Sequence, residues 1–222
     1  MLEIKDLLNT KETLASEIFS GLCYPWEALP LISEFILLTG QKLPDDKFER
    51  IAEDIWVAKS AHVFASAYLH GPLIIDEGAE VRQCAFIRGS AIVGKECVVG
   101  NSTELKNSIL FNGVAVPHYN YVGDSILGHR SHMGAGSITS NVKSDKSLVT
   151  VKCGDERIDT GLKKFGAMLG DNVEVGCNSV LNPGSVIGRN TTIYPLSSVR
   201  GFVPSDSIFK SGGNIVKKNR NH

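Results

Sequence analysis

A period of six governs what this chain can fold into. Stepping in sixes from Val57 reaches Val63, Leu69, Ile75, Val81, Ile87, Val93, Val99, Leu105 and Phe111, and every position is apolar. The same stride begun two residues earlier gives Ile55, Ala61, Ala67, Leu73, Ala79, Ala85, Ala91, Cys97, Thr103, Ile109 and Ala115, mostly small and apolar. The pattern returns at Leu169, Val175, Leu181, Ile187, Ile193 and Val199, with Val173, Ser179, Ser185, Thr191 and Ser197 as companions. Neither a helical nor a coiled-coil period produces this register, and an alternating sandwich would not hold it so long. A solenoid does, if each coil is a triangle of three short strands, one hexad per side. The large aliphatic residue then fills the interior, and the small residue sits at a tight corner under the next coil. Gly94, Gly100, Gly123, Gly128, Gly134, Gly170, Gly176 and Gly188 mostly follow the aliphatic position. Their expected role is a turn with unusual backbone angles.

Composition narrows the function classes. With 42% hydrophobic residues in 222, the chain can bury one solenoid core with an appendage. A formal net charge of -1 provides no global basic surface for nucleic acid. No apolar run is long enough to span a membrane, and the start MLEIKDLLNTKE lacks an apolar signal core, so a cytoplasmic protein is expected. The five cysteines (Cys23, Cys84, Cys97, Cys153, Cys177) form no CxxC pair and read as free thiols.

Three segments depart from the hexads, and the chain divides into a helical cap (1–50), a β-helix (51–205) and a polar basic tail (206–222). In the first segment Asn9 with Glu12 reads as the start of a helix, Leu14 and Ile18 share a face, and Gly21 stops it. A second helix is expected from about Leu29 to Leu38, with Pro30 in its first turn and Leu31, Ile32, Phe35 and Ile36 buried. This cap is expected to cover the open end of the solenoid. An extended loop near 142–165 carries the apolar run Leu148–Val151, then Gly154-Asp155, then Ile158, and reads as a hairpin-like excursion. The tail from Lys210 on, with Lys217, Lys218 and Arg220, reads as a disordered end, or more weakly as a contact for cofactor phosphates.

A solenoid has no interior cavity, so chemistry must lie on its outer faces or between chains. Residues eighteen apart stack, which places Arg88 beside Lys106 as a candidate anion cradle. The register slips between Pro117 and Leu127, where His118 stands with Tyr119, Tyr121 and Asp124. Histidine is a natural general base near neutral pH.

The residues His118-Tyr119-Asn120-Tyr121-Val122-Gly123-Asp124, followed by Gly134-Ala135-Gly136-Ser137-Ile138-Thr139-Ser140-Asn141, resemble a segment of one enzyme family. It is the hexapeptide-repeat acyltransferases, and within them the acetyltransferase domain of the bifunctional bacterial enzyme that makes UDP-N-acetylglucosamine. The resemblance covers roughly residues 80–200. It implies a mainly β fold, a left-handed parallel β-helix, in a homotrimer with its site between subunits. It implies acetyl-CoA as co-substrate and an amino-sugar phosphate, or a nucleotide-linked amino sugar, as acceptor. By resemblance, His118 is the base on the amine, Asn141 helps hold the amine and the acyl group, and a backbone N–H near Ala135 joins it in steadying the acyl carbonyl. Arg88, Lys106 and Lys164 hold the anionic group, and Tyr121 orients the sugar. Lys164 stands in the segment Lys164-Phe165-Gly166-Ala167-Met168-Leu169-Gly170-Asp171, which matches a family motif. His132 stands where the family has an asparagine, Val142 where it has a tyrosine, and Cys177 and Pro195 replace a serine and a small residue of the coenzyme region. No glycine-rich L-x-x-G-x-G-T-R-M stretch occurs, so no uridylyltransferase activity is expected.

Two other classes share such a solenoid. A zinc enzyme of the γ-carbonic-anhydrase type would need three spaced histidines. Here His129 and His132 are three apart, His118 lies eleven before His129, and position 96 is a glutamate, so no metal is expected. A non-catalytic sugar-phosphate sensor would keep the shape without needing coenzyme.

Overall fold

The computed structural model describes residues 1–218; Arg220 of the basic tail lies outside them. The chain forms a left-handed parallel β-helix of about nine turns. Its faces are built of two- to four-residue strands, with two seven-residue strands, Glu104–Leu110 and Tyr121–Leu127, that bend around a corner and serve two faces. The interior is the aliphatic column read from the hexads: Ile75, Val81, Ile87, Val93, Val99 and Leu105 are fully buried.

The register is not uniform. Val57, Ile75 and Val93 pair in steps of eighteen. Val93 then pairs with Leu110, and Leu110 with Leu127, in steps of seventeen. The missing residue falls between Leu105 and Leu110, and again between Val122 and Leu127. Leu110, not the expected Phe111, therefore occupies the interior, and Phe111 turns outward to meet the ring of Phe19 at 5.7 Å. Leu127 pairs with Leu169, so the excursion between them leaves the stack unbroken, and steps of eighteen resume from Leu169 to Ile187.

The eight glycines singled out by sequence act through space and not through backbone angle. The left-handed conformations fall at later corner positions, on residues such as Glu96, Asn172 and Asn190. A Cβ on Gly94 would stand 2.7 Å from the Leu110 carbonyl oxygen, and one on Gly134 would stand 2.7 Å from the Cys177 nitrogen. Coils approach too closely at these points for any side chain.

The N-terminal segment lies along one side of the solenoid and does not seal its end. On the third face the residue between the two interior positions is also apolar: Trp56, Ile74, Ile92, Ile109, Ile126, Met168, Val186 and Phe202 pair in one outward column. That column needs cover, and the 3₁₀ stretch Pro25–Leu31 and helix Ile32–Gly40 supply it, with Ile32 and Ile36 fully buried. Leu31, expected inside, is 41% exposed: it falls in the 3₁₀ stretch Pro25–Leu31, whose three-residue period aims it differently from the helix that follows. The helix expected after Asn9 is reduced to the 3₁₀ turns Thr10–Glu12 and Ser16–Phe19. Its backbone groups are spent on the solenoid: Asn9 N–H donates to Asp171, and the Glu12 carbonyl accepts Asn112 N–H.

The excursion forms an antiparallel hairpin, Thr150–Cys153 with Glu156–Asp159. It folds back on the third face, with Val149 and Val151 fully buried and the Thr150 and Lys152 carbonyls against Gly184 and Gly201. The solenoid continues past residue 205, since Ser207–Phe209 pairs in parallel with the coil below. The tail then turns back as Ile215–Lys217, antiparallel to Ser207–Phe209, so up to Lys218 it is ordered by the sheet edge it pairs with. At the other end Phe48–Ala52 lies antiparallel to Ile55–Ala58. Among the described residues no helix is long and apolar enough to cross a membrane.

Candidate active site

Two corners of the solenoid collect the residues singled out by sequence. His118 ends the strand Ala115–His118. Its backbone is fixed by the coil above and by its own turn: its carbonyl accepts Gly136 N–H at 3.0 Å, and its N–H donates to Asn120 Oδ1 at 3.2 Å. Asn120 is 2% exposed and donates through Nδ2 to the Gly134 carbonyl (2.8 Å), the Ser137 carbonyl (3.1 Å) and Ser137 Oγ (3.1 Å). It pegs the turn so that the His118 imidazole stands exposed, held by no hydrogen bond or ion pair among the described residues.

Above His118 the same corner continues. His132 pairs with Glu174, and Glu174 with Thr192, so Ala135, Cys177 and Pro195, three residues further along, fall in one column. Asn178 N–H donates to the Ala135 carbonyl, and Leu196 N–H to the Cys177 carbonyl. The Ala135 N–H enters none of the turn hydrogen bonds among the described residues. Cys177 and Pro195 are exposed, and the column makes a ledge running along the solenoid from His118.

The second corner is polar and closed. Leu105 pairs with Ile87, which sets Lys106 beside Arg88. The two cations do not cooperate, because each faces a carboxylate. Arg88 Nε meets Glu104 Oε1 at 2.9 Å, and Lys106 Nζ meets Asp124 Oδ1 and Oδ2 at 2.9 and 3.0 Å. Asp124 is 3% exposed and also accepts from Asn107 Nδ2 at 3.0 Å and from Asn141 Nδ2. Asn141 Nδ2 lies 3.2 Å from the Tyr121 hydroxyl. Burial, with Asp124 and Glu104 nearby, pushes the Tyr121 phenol above its ordinary pKa. Asn107 and Asp124 both have φ near 48°, the left-handed bend that the shortened corner requires.

The hairpin leaves and rejoins the solenoid at this corner. Phe165 N–H donates to the Asn141 carbonyl and Gly166 N–H to the Asp124 carbonyl. Phe165 is fully buried, its ring 5.7 Å from that of Trp26 in the N-terminal segment. Lys164, just before it, is exposed and joins neither cluster.

The structure therefore brings Lys106, Tyr121 and Asn141 together around Asp124, and aligns His118 with Ala135, Cys177 and Pro195. It leaves Lys164 apart, ties Arg88 to Glu104, and turns His132 Nδ1 to Glu174 Oε2 at 2.9 Å. His129 Nδ1 meets the Asn112 carbonyl at 2.8 Å, and among the described residues no three His, Cys, Asp or Glu side chains of this chain gather as a metal site. Sequence reasoning assigned no role to Asp124, Asn107 or Asn120. The available signals were the stride of eighteen, which runs on from Arg88 and Lys106 to Asp124, and the break of period that sets Asp124 opposite Asn107.

The comparisons with known proteins agree with this frame. Residues 166–201 match a family model described as bacterial transferase hexapeptide (six repeats), and residues 69–173 match one described as GMPPB C-terminal domain. The chain belongs to the hexapeptide-repeat transferases. Within that family it resembles the acetyltransferase part of the bifunctional GlmU proteins. It is 30% identical to the GlmU protein of Methanococcus aeolicus, over 98% of this chain and 54% of that one. It is 32% identical to a bifunctional sugar-1-phosphate nucleotidylyltransferase/acetyltransferase of Sulfurisphaera tokodaii, over 64% of this chain and 40% of that one. The chain spans about half the length, or less, of these curated relatives. Among solved structures, a mutant of AntD, an N-acyltransferase from Bacillus cereus, in complex with dTDP-4-amino-4,6-dideoxyglucose and coenzyme A, shares 14% identity, over 82% of this chain and 90% of that one, at a TM-score of 0.38.

Proposed function

We propose that this protein transfers an acetyl group from acetyl-CoA to the amine of an amino-sugar phosphate or a nucleotide-linked amino sugar. One observation carries the reading: the seven residues 118–124 join the two corners. His118 stands at the foot of the exposed ledge of Ala135, Cys177 and Pro195, and Asp124 anchors the polar cluster of Lys106, Tyr121 and Asn141. A base placed between a groove for an extended coenzyme and a polar pocket for a sugar is what acyl transfer to an amine needs.

In the reaction the amine nitrogen attacks the thioester carbonyl as His118 takes its proton. The new C–N bond forms, the C–S bond breaks, and the leaving thiolate receives the proton back from the imidazolium. The Ala135 N–H suits the oxygen on which negative charge develops. With Arg88 and Lys106 each facing a carboxylate, the sugar's anionic group meets a corner that is polar but nearly neutral, and Lys164 is the cation left to approach it. The relatives whose names include an acetyltransferase support the activity, and the resemblance stated above implies a homotrimer with the site between copies. Turnover of acetyl-CoA with glucosamine 1-phosphate tests the assignment: His118→Ala lowers kcat by about 10²–10⁴-fold, and an unchanged kcat refutes it.

A further inference from the structure

The carboxylate at the second corner does more than neutralise Lys106. Asp124 only accepts hydrogen bonds, so any side-chain amide that faces it must present its nitrogen. Asn141 does so, and the same nitrogen also reaches the Tyr121 hydroxyl at 3.2 Å. Both Nδ2 hydrogens are thereby spent inside the corner, and Oδ1 has no partner among the described residues. The two orientations of an asparagine amide look alike in shape and differ in chemistry. Here the neighbouring carboxylate selects one of them. The backbone is held as well, since the Asn141 carbonyl accepts Phe165 N–H.

We infer that Asp124 is a positioning residue that locks the Asn141 amide with its oxygen outward, so that Asn141 accepts an N–H of the acceptor's amine instead of donating to the acyl oxygen. This rests on the transferase reading above, in which resemblance gives Asn141 a hold on both the amine and the acyl group, and Asp124 is what selects the amine. An amine held by one N–H at Asn141 Oδ1 has its lone pair directed by that bond, and the oxyanion is left to the Ala135 N–H. Lys106 Nζ and Asn107 Nδ2 supply the carboxylate's other three hydrogen bonds, two of them from Lys106.

A double-mutant cycle with acetyl-CoA and glucosamine 1-phosphate tests this. Asp124→Asn permits the amide to flip and lowers kcat/KM for the acceptor by about 10²-fold, with KM for acetyl-CoA within about twofold of wild type. In an Asn141→Ala background the same substitution adds less than about threefold, because the group it acts through is gone. Asn107→Ala removes another donor to Asp124 and leaves Asn141 seated, so it keeps kcat/KM within about threefold, which a purely structural corner would not do. Multiplicative losses in the double variant, or wild-type kcat/KM in Asp124→Asn, overturn the inference. A second readout is independent of turnover. The side-chain NH₂ signal of Asn141, identified by its loss in Asn141→Ala, exchanges with solvent slowly in the wild-type protein and at least about tenfold faster in Asp124→Asn. Fast exchange in the wild type overturns the orientation even if acetyl transfer is found. Failure of the wild type to acetylate any amino sugar overturns the transferase reading, and slow exchange lost only in Asp124→Asn still supports the locked amide.

Discussion

The coils before residue 100 and those from Leu105 to Thr139 have the same triangular plan and differ by one residue per turn. In the earlier coils the step is eighteen, and corner charges such as Glu77 with Lys47 and Lys95 lie out in solvent. In the later coils the step is seventeen, and the corner draws Asp124 to 3% exposure among three donor groups, Lys106, Asn107 and Asn141. Removing one residue pulls a corner inward, and a corner pulled inward must satisfy its polar groups internally. The shortened corner at Asp124 can therefore orient its polar groups, which the exposed charges of Glu77, Lys47 and Lys95 cannot do.

Paired substitutions at matching positions can break that comparison. The largest contrast is expected at the first corner: His118→Ala abolishes most turnover, whereas Gln83→Ala, at the matching corner two coils earlier, leaves kcat unchanged in the same assay. Next come the ion pairs. Lys106→Met strands a buried carboxylate and lowers stability by about 3 kcal/mol in denaturant titration, whereas Lys95→Met, at an exposed corner, produces no measurable change. Equal losses at both would show that the short coil is no more closed than the long one. Asn120→Ala removes a donor from the Gly134 carbonyl, which keeps Ser137 N–H and Oγ, and from the Ser137 carbonyl, and costs about 2 kcal/mol, while the small residue at that position two coils earlier, Ala85, has no such bonds to lose.

The smallest effect concerns Asp171, which receives Asn9 N–H and His129 N–H beside Arg189. Burial outweighs these partners and raises its carboxyl above the ordinary value. A carboxyl that holds its proton more tightly when folded stabilises the fold most at low pH. That stability is lost as pH rises from the usual carboxylate range, near pH ~4, through the raised folded value. Asp171→Asn is expected to flatten the slope of Tm across that window, and an unchanged slope would assign it to another group such as Asp76, which burial also raises.

The hexads made the solenoid, its interior column and the hairpin legible from residue order, since interior packing repeats with the coil. The cover on the third face was hidden because the interior stride skips the middle residue of each strand. Consecutive apolar triplets such as Leu73-Ile74-Ile75 and Ala91-Ile92-Val93 were its signal. Among candidate site residues, Lys106, Tyr121 and Asn141 were legible as types, but their shared partner went unassigned. Asp124 stands eighteen after Lys106, on the same stride that sets Arg88 beside Lys106, and only its bond to Asn107 depends on the seventeen-residue step. The mistaken placement of Phe111 in the interior arose from that same lost residue.

The reversed strands at the two ends have a consequence for how such a chain can change length. Phe48–Ala52 and Ile215–Lys217 each run against the outermost parallel strand and occupy hydrogen-bonding groups that a further coil would use. Duplicating a coil at either terminus would first have to displace a finished hem. Insertion between existing coils meets no such obstacle, as at the hairpin, where twenty-four extra residues leave the rows above and below in step.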